Sequence, residues 1–187
     1  MAHSLRGARI RRGRKESGSE EELATRLVTI LDPSGVGWEA YRTLRTNLLY
    51  ALVDNPPKVV VLTSHGQGEG KSTTCVNLAV VLAQAARSTL ILDCDLRKPV
   101  VHKFFGLRNL HGISDVLVGE RSLDEVWHEP VEGLKVVPTH LEALLEAGSG
   151  PVRGSVSYTR LWTEVTDAGF DAGDAATFVE RERLLRR

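Results

Sequence analysis

The sequence is short of cysteine, of net charge and of long apolar runs, and each shortage excludes a class of protein. Cys75 and Cys94 are the only cysteines in 187 residues, and their spacing suits neither a metal site nor a disulfide framework. We therefore expect a reducing, cytoplasmic setting. Lys and Arg total 24, as do Asp and Glu, so the net charge gives no support for nucleic acid as a partner. No apolar run approaches the roughly 20 residues that span a bilayer, and the N-terminus shows no signal-peptide apolar region.

The charges are unevenly distributed at the N-terminus. Six basic residues crowd the first part of the chain and three acidic ones follow: Arg6, Arg9, Arg11, Arg12, Arg14 and Lys15, then Glu20, Glu21 and Glu22. A solvated, disordered tail explains this pattern. Attraction to anionic lipid is the alternative, since each basic residue near a membrane surface contributes about 1 kcal/mol. We expect a tail over residues 1–26, one folded domain over 27–139, and a divergent segment of uncertain fold over 140–187.

The middle of the chain has the pattern of an α/β domain. Residues 59–63 and 89–93 are apolar runs typical of strands buried on both faces, and a helical segment over 71–86 joins them. Strand, helix and strand in this order predict a mainly parallel sheet flanked by helices. Further helices are predicted over 38–53, 100–105, 113–118 and 123–127, and a third strand over 134–137.

A glycine-rich phosphate loop lies between the first predicted strand and its helix. The pattern G-x-x-x-x-G-K-[ST] needs glycines so that backbone N–H groups curl around phosphate, a lysine for the β and γ phosphates, and a hydroxyl for Mg²⁺. The first position of the pattern is His65 instead of glycine, although Gly66 stands beside it. The candidate nucleotide-binding residues are Gly66, Gly68, Glu69, Gly70, Lys71, Ser72 and Thr73. The sequence therefore predicts binding of a purine nucleoside triphosphate, ATP, with Mg²⁺.

A second polar element follows the next predicted strand. Asp93 and Asp95 stand at i and i+2, with Arg97 two residues further on. The carboxyl ends of parallel strands form the ligand-binding edge of such a sheet, so both carboxylates are expected near the phosphate loop. One carboxylate can support Mg²⁺ and the other can accept a proton from an attacking hydroxyl.

These motifs together resemble the bacterial tyrosine kinases of capsule and exopolysaccharide assembly. The loop and the D-x-D-x-R element carry the resemblance, as do Arg97–Pro99, Phe105–Leu107 and Gly112–Leu117. A helix with the family's E-x-x-R-x-x-R pattern adds Glu39, Arg42 and Arg45. The likeness covers roughly residues 27–139, with the motifs in the family's order.

The resemblance implies a P-loop protein that transfers the γ-phosphate of ATP to tyrosine, including its own. Lys71, Asp93, Asp95 and Arg97 would be the catalytic residues, with Ser72 and Asp93 supporting Mg²⁺. The helix over 38–53 would join subunits into a homo-oligomeric ring. The implied partners are tyrosine-containing proteins and a membrane-embedded polysaccharide chain-length protein that activates the kinase. The implied location is the inner face of the plasma membrane.

The sequence departs from this family after Thr139. Family members continue into another buried strand ending in Asp and finish with a tyrosine cluster, whereas Tyr158 is the only tyrosine after Tyr50. The nearest acidic candidate, Asp171, has no apolar run before it. We therefore expect a fold that is incomplete at its C-terminal end. A catalytically defective nucleotide-binding regulator, or a truncated fragment, is the alternative function. A partition or division-site ATPase is a third hypothesis, but those proteins carry a lysine where this chain has Gly66.

Overall fold

Helices cover both faces of a small sheet in the protein. The structure, a computed structural model, describes residues 22–51, 58–62, 68–95 and 98–140. In chain order the elements are helices α1 (Val28–Leu31), α2 (Val36–Tyr50) and α3 (Lys71–Gln84), strand β1 (Thr89–Leu92), helices α4 (Val101–Phe104), α5 (Ile113–Val118) and α6 (Leu123–Val126), and strands β2 (His128–Val131) and β3 (Leu134–Val137). In the part of the chain that is described, no helix has the length and apolar character needed to traverse a lipid bilayer.

The sheet has the order β1-β3-β2. Strands β1 and β3 run parallel, with Thr89 opposite Leu134 and Leu92 opposite Val137, as predicted for a chain that crosses over between them. Strand β2 pairs antiparallel with β3 and was not predicted as a strand. Its position at the edge explains how it accommodates Pro130, since proline lacks a ladder donor and is tolerated at sheet edges.

The prediction of a strand over 59–63 is wrong for the residues that the structure describes. Residues 59–62 belong to no strand, and Val59, Val60 and Val61 are 40%, 42% and 60% exposed. A strand requires a hydrogen-bonded neighbour, and within the described chain β1 pairs only with β3. The segment has the apolar, β-branched composition typical of a strand, but composition does not show whether a partner strand is present.

Alternating side chains of β1 divide the core between the two faces of the sheet. Ile91 packs into a cluster with Val76, Val80 and Phe104, whereas Leu90 and Leu92 pack against the cluster on the opposite face. That second cluster is built by α5, α6 and β3: Ile113, Val116, Leu123, Val126 and Val137. The arrangement confirms the α/β class with a sheet flanked by helices.

A buried asparagine joins the start of the described chain to α3. The Asn77 side-chain carbonyl accepts bonds from the Thr29 backbone N–H at 3.1 Å and the Thr29 hydroxyl at 2.8 Å. Its amide donates to the carbonyls of Arg26 and Thr73, both at 2.9 Å. Leu23 also packs against the core, so part of the segment assigned to the N-terminal tail contacts the folded unit.

We expect Asn77→Ala to destabilise the protein by about 3 kcal/mol, because buried groups that lose their partner each cost about 1–3 kcal/mol. Thr29 would lose both of its bonds to Asn77. Urea unfolding measures the effect, and Asn47→Ala on the exposed surface of α2 is the matched control. Equal unfolding midpoints for the two variants would contradict this role for Asn77.

Candidate functional site

The second half of the phosphate loop has the backbone conformation that the motif requires. Gly68 and Gly70 adopt φ values of 83° and 85°, a left-handed region that favours glycine. A side-chain carbon placed at either position would meet no atom of the described residues within 4 Å, so these residues leave the space beside the loop open. Gly70 is the residue before α3, and the first backbone N–H groups of a helix have no partner within it. The loop therefore offers an anion a glycine backbone that can curve around it, space to bind and backbone N–H donors.

Lys71 and Asp95 meet at this end of α3. The Lys71 Nζ lies 3.3 Å from Asp95 Oδ2, and both side chains are about one-third exposed. Asp95 is held from its other oxygen, Oδ1, which accepts a bond from the Lys98 N–H at 3.0 Å. The structure thus brings together the predicted phosphate-binding lysine and the predicted base, across a sequence separation of 24 residues.

Asp93 lies deeper than Asp95 and is bound to the backbone. Its side-chain oxygens accept bonds from the N–H groups of Asp95 and Val101, each at 3.2 Å, and the residue is 5% exposed. Burial raises the pKa of the Asp93 carboxyl above its usual value, while the two backbone donors oppose that change. Asp93 therefore fixes the turn after β1, and Asp95 is the more accessible of the two carboxylates.

Two residues that sequence reasoning did not place in the site lie near Asp93. The Thr139 hydroxyl donates to the Asp93 carbonyl and is fully buried. Burial raises the pKa of the Cys75 thiol to about 11, with the nearby charge of Asp93 adding to the effect and that of Lys71 opposing it. The parallel register could have indicated Thr139, because the residues after β1 and β3 emerge at the same edge of the sheet.

The other predicted residues divide into two groups. Glu69, Ser72 and Thr73 flank Lys71, with Glu69 exposed and the two hydroxyl residues half-buried in the first turn of α3. Gly66, Arg97 and His65 lie outside the described residues, as do the segments 1–21 and 141–187. The roles assigned to all of these residues stay predictions.

The charged residues of α2 contact their own chain. Glu39 and Arg42 form an exposed pair at 3.3 Å, and the Arg42 guanidinium stacks 4.6 Å from the centre of the Trp38 ring. Arg45 donates to the Val81 carbonyl at 3.0 Å, which ties α2 to α3. Arg45 therefore has a role within the subunit, whereas Glu39 and much of Arg42 remain accessible.

A glycine loop that opens a helix, beside a lysine–aspartate pair at the carboxyl end of a parallel strand, defines a P-loop nucleotide-binding protein of the α/β class. Comparison with known families agrees. The sequence model of the CobQ/CobB/MinD/ParA nucleotide binding domain matches residues 60–166. The chain belongs to this family, and nucleotide binding follows from that membership.

The chain is also similar to curated proteins named as tyrosine-protein kinases. The chain is 40% identical over 139 residues to "Tyrosine-protein kinase YwqD" of Bacillus subtilis (strain 168), covering 74% of this chain and 54% of that protein. It is 36% identical over 100 residues to "Putative tyrosine-protein kinase CapB" of Staphylococcus aureus, covering 53% of this chain and 44% of the relative. The match to "Tyrosine-protein kinase wzc" of Salmonella typhi is 36% over 103 residues, or 55% of this chain and 14% of the relative. The chain thus spans about half the length of YwqD and less of the others.

Solved structures give the same result. The chimerical protein CapA2B2 superposes with a TM-score of 0.58 at 36% identity, over 61% of this chain and 50% of that one. The kinase domain of Escherichia coli tyrosine kinase ETK superposes with a TM-score of 0.56 at 28% identity, over 68% and 48%. The resemblance to bacterial tyrosine kinases inferred from the motifs is confirmed.

We expect Lys71→Ala to abolish ATP binding, or to weaken it by at least about tenfold, since a charge-assisted hydrogen bond contributes about 1.5–3 kcal/mol. Isothermal titration calorimetry measures the affinity, and circular dichroism verifies that the variant is folded. Lys103→Ala, on α4, is the matched control and should bind ATP as the unaltered protein does. Unchanged affinity in Lys71→Ala would exclude the phosphate role.

Proposed function

We propose that the protein is an ATP-dependent protein-tyrosine kinase, and an autokinase, that acts in the regulation of capsular or exopolysaccharide biosynthesis. The observation that carries the proposal is the juxtaposition of Lys71 and Asp95 at 3.3 Å beside the open glycine loop. The names of the relatives, tyrosine-protein kinases of Bacillus subtilis and Salmonella typhi among them, support the same chemistry. Because this chain spans only part of those proteins, the activity is a proposal for this chain.

In the proposed reaction Lys71 and Asp95 have different roles. Lys71 leaves its partner carboxylate and binds the β and γ phosphates, where its positive charge opposes the negative charge of the transferred group. Asp95, once released, takes the proton from the tyrosine hydroxyl as the phenolic oxygen attacks the γ-phosphorus. The bond from the γ-phosphorus to the bridging oxygen breaks, and ADP leaves. Arg97 is proposed as a further catalytic residue on the strength of the resemblance alone.

The residues at the loop suit a magnesium ion bound with the nucleotide. The open space beside Gly68 and Gly70 leaves room for phosphates, and Ser72 supplies a hydroxyl in the first turn of α3. Asp93 is proposed to support the ion through water, because its oxygens already accept backbone bonds and the residue is buried. When bound, Mg²⁺ would neutralise part of the phosphate charge.

We expect Asp95→Asn to retain ATP binding and to lose at least about 100-fold in phosphotyrosine formation, the lower range for removal of a general base. The amide oxygen can still accept the Lys98 N–H, so the turn is preserved. Labelled ATP, Mg²⁺ and a tyrosine-containing peptide report transfer, and calorimetry reports binding. Asp124→Asn, an exposed change on α6, is the control. Phosphotyrosine at the control rate would contradict the role of Asp95.

The alternative, a nucleotide-binding regulator without phosphoryl transfer, has its own supporting observation. Residues 59–62 form no strand and are largely exposed, so the part of the chain that the structure describes has no paired strand directly before the phosphate loop. The same labelling experiment separates the hypotheses. Phosphotyrosine supports the kinase, ATP binding without product supports the regulator, and ADP release without labelled protein supports an ATPase of the partition or division-site kind.

We further propose that α2 joins copies of the chain into a homo-oligomer. Glu39 is accessible, its side chain being 62% exposed, and the same helix exposes Val36 at 90% and Tyr50 at 69%. A surface with an available carboxylate and apolar side chains suits a subunit contact. Tyrosine-containing proteins are the proposed substrates, a membrane-embedded chain-length protein the proposed activator, and the inner face of the plasma membrane the proposed location.

We expect Glu39→Arg to shift the protein toward the monomer in sedimentation velocity. The new positive charge would repel the arginines of α2 in the neighbouring copy of the chain. Glu132→Arg, in the exposed turn between β2 and β3, introduces the same charge elsewhere and should leave assembly unchanged. An oligomer that sediments identically in the unaltered protein and in Glu39→Arg would argue against a contact through α2, as would a monomer in both.

A further inference from the structure

Two histidines and an aspartate converge at a place that the nucleotide chemistry does not use. His111 precedes α5, Asp115 lies in α5, and His140 follows β3. The ligand atoms that these side chains offer all lie within 4.8 Å of one another. The cluster therefore combines ligand atoms from two separate segments of the chain. A hydrogen bond between Ser114 and His140, which are 26 residues apart in sequence, joins these segments.

The distances suit a small divalent ion. The His111 Nδ1 lies 3.4 Å from Asp115 Oδ1, and the His140 Nδ1 lies 3.5 Å from Asp115 Oδ2. Ligands of a tetrahedral zinc ion with bonds of about 2.0–2.2 Å are separated by roughly 3.4 Å. Each histidine nitrogen already stands at about this separation from an oxygen of the Asp115 carboxylate, which faces both imidazoles.

The backbone around the cluster is held by several hydrogen bonds. Asp115 is 3% exposed and accepts the Gly112 N–H at 2.7 Å, which fixes its carboxylate. The Ser114 hydroxyl donates to the His140 carbonyl and accepts the His140 N–H at 3.0 Å. The Ile113 N–H donates to the Pro138 carbonyl at 2.7 Å. These contacts fix the Asp115 carboxylate and the backbone of His140 before any ion binds, which preorganises part of the site.

Gly112 allows the two segments to approach this closely. A side-chain carbon at residue 112 would lie 2.0 Å from the Pro138 carbonyl oxygen, so any larger residue would force the segments apart. The two imidazole rings meet edge to face, with centroids 5.9 Å apart. The approach of α5 to the end of β3 therefore depends on a residue without a side chain.

We propose that His111, Asp115 and His140 bind a divalent transition metal of the zinc class, with at least one coordination position left for water or an added ligand. Two imidazole nitrogens and one carboxylate favour such an ion over Mg²⁺ or Ca²⁺, which prefer oxygen ligands. The site is distinct from the Mg²⁺ site proposed at Ser72 and shares no residue with it. An ion here would brace residues 138–140 against α5, next to Thr139, which bonds to Asp93.

The experiment is a Zn²⁺ titration of the full chain, in competition with a chromophoric chelator. We expect one tightly bound ion per chain and a loss of affinity of at least about tenfold in His111→Gln and in His140→Gln, since each removes one ligand. His128→Gln is the matched control, because His128 lies outside the cluster. Circular dichroism verifies folding, and the His111 side chain is 44% exposed, so its replacement should leave the fold intact.

A second readout identifies the ligands. Co²⁺ bound in place of Zn²⁺ should give visible absorption bands typical of nitrogen and oxygen ligands, and these should disappear in His111→Gln. The proposal is overturned if no ion binds, or if all the histidine variants bind equally. Loss of the ion in Cys75→Ser or Cys94→Ser with retention in His111→Gln would also overturn it. Lys71→Ala should leave the Zn²⁺ affinity unchanged, which separates this result from the nucleotide experiments.

Discussion

The nucleotide site depends on the hydrogen bonds that hold the buried residue Asp93 in place. Asp93 directly follows β1, and its side-chain oxygens accept the backbone N–H groups of Asp95 and Val101. Its backbone carbonyl accepts the Thr139 hydroxyl. A buried carboxylate without such donors would strongly destabilise the fold. Asp93 can therefore be buried only where these N–H groups reach its side-chain oxygens. Through them one residue sets the direction of the turn that carries Asp95 toward Lys71, and it joins that turn to the end of β3.

The edge of the sheet at which β1 and β3 end thus lies between the two proposed sites, one for nucleotide and one for a metal ion. On one side the turn after β1 presents Asp95 to the lysine of the phosphate loop. On the other, the residues after β3 meet α5 at the cluster of His111, Asp115 and His140. Thr139 stands between them, bonded to Asp93 and adjacent to His140. A change in the packing of residues 138–140 would therefore affect both, which makes this short segment the physical connection between them.

Local pattern was sufficient to predict the helix after the loop, the strands over 89–93 and 134–137, and the family. The glycines act through their backbone, and the side chains of Lys71 and Ser72 follow them directly in sequence, so this part of the candidate site is predictable from residue order alone. The strand at 59–63 could not, because an apolar run does not reveal whether a partner strand pairs with it. Strand β2, with Pro130, had no strand-like pattern. The cluster of His111, Asp115 and His140 joins distant segments through Gly112, a contact that residue spacing does not encode.

We infer that the loop at residues 68–73 and the turn at residues 93–95 form one nucleotide site. Hydrogen–deuterium exchange of the full chain, with and without saturating Mg²⁺ and ATP, tests it most directly. We expect slower exchange in both segments when nucleotide is present, because phosphate engages the loop and the turn closes beside it. Protection confined to one segment, or exchange that ATP leaves unchanged in both, would contradict the claim.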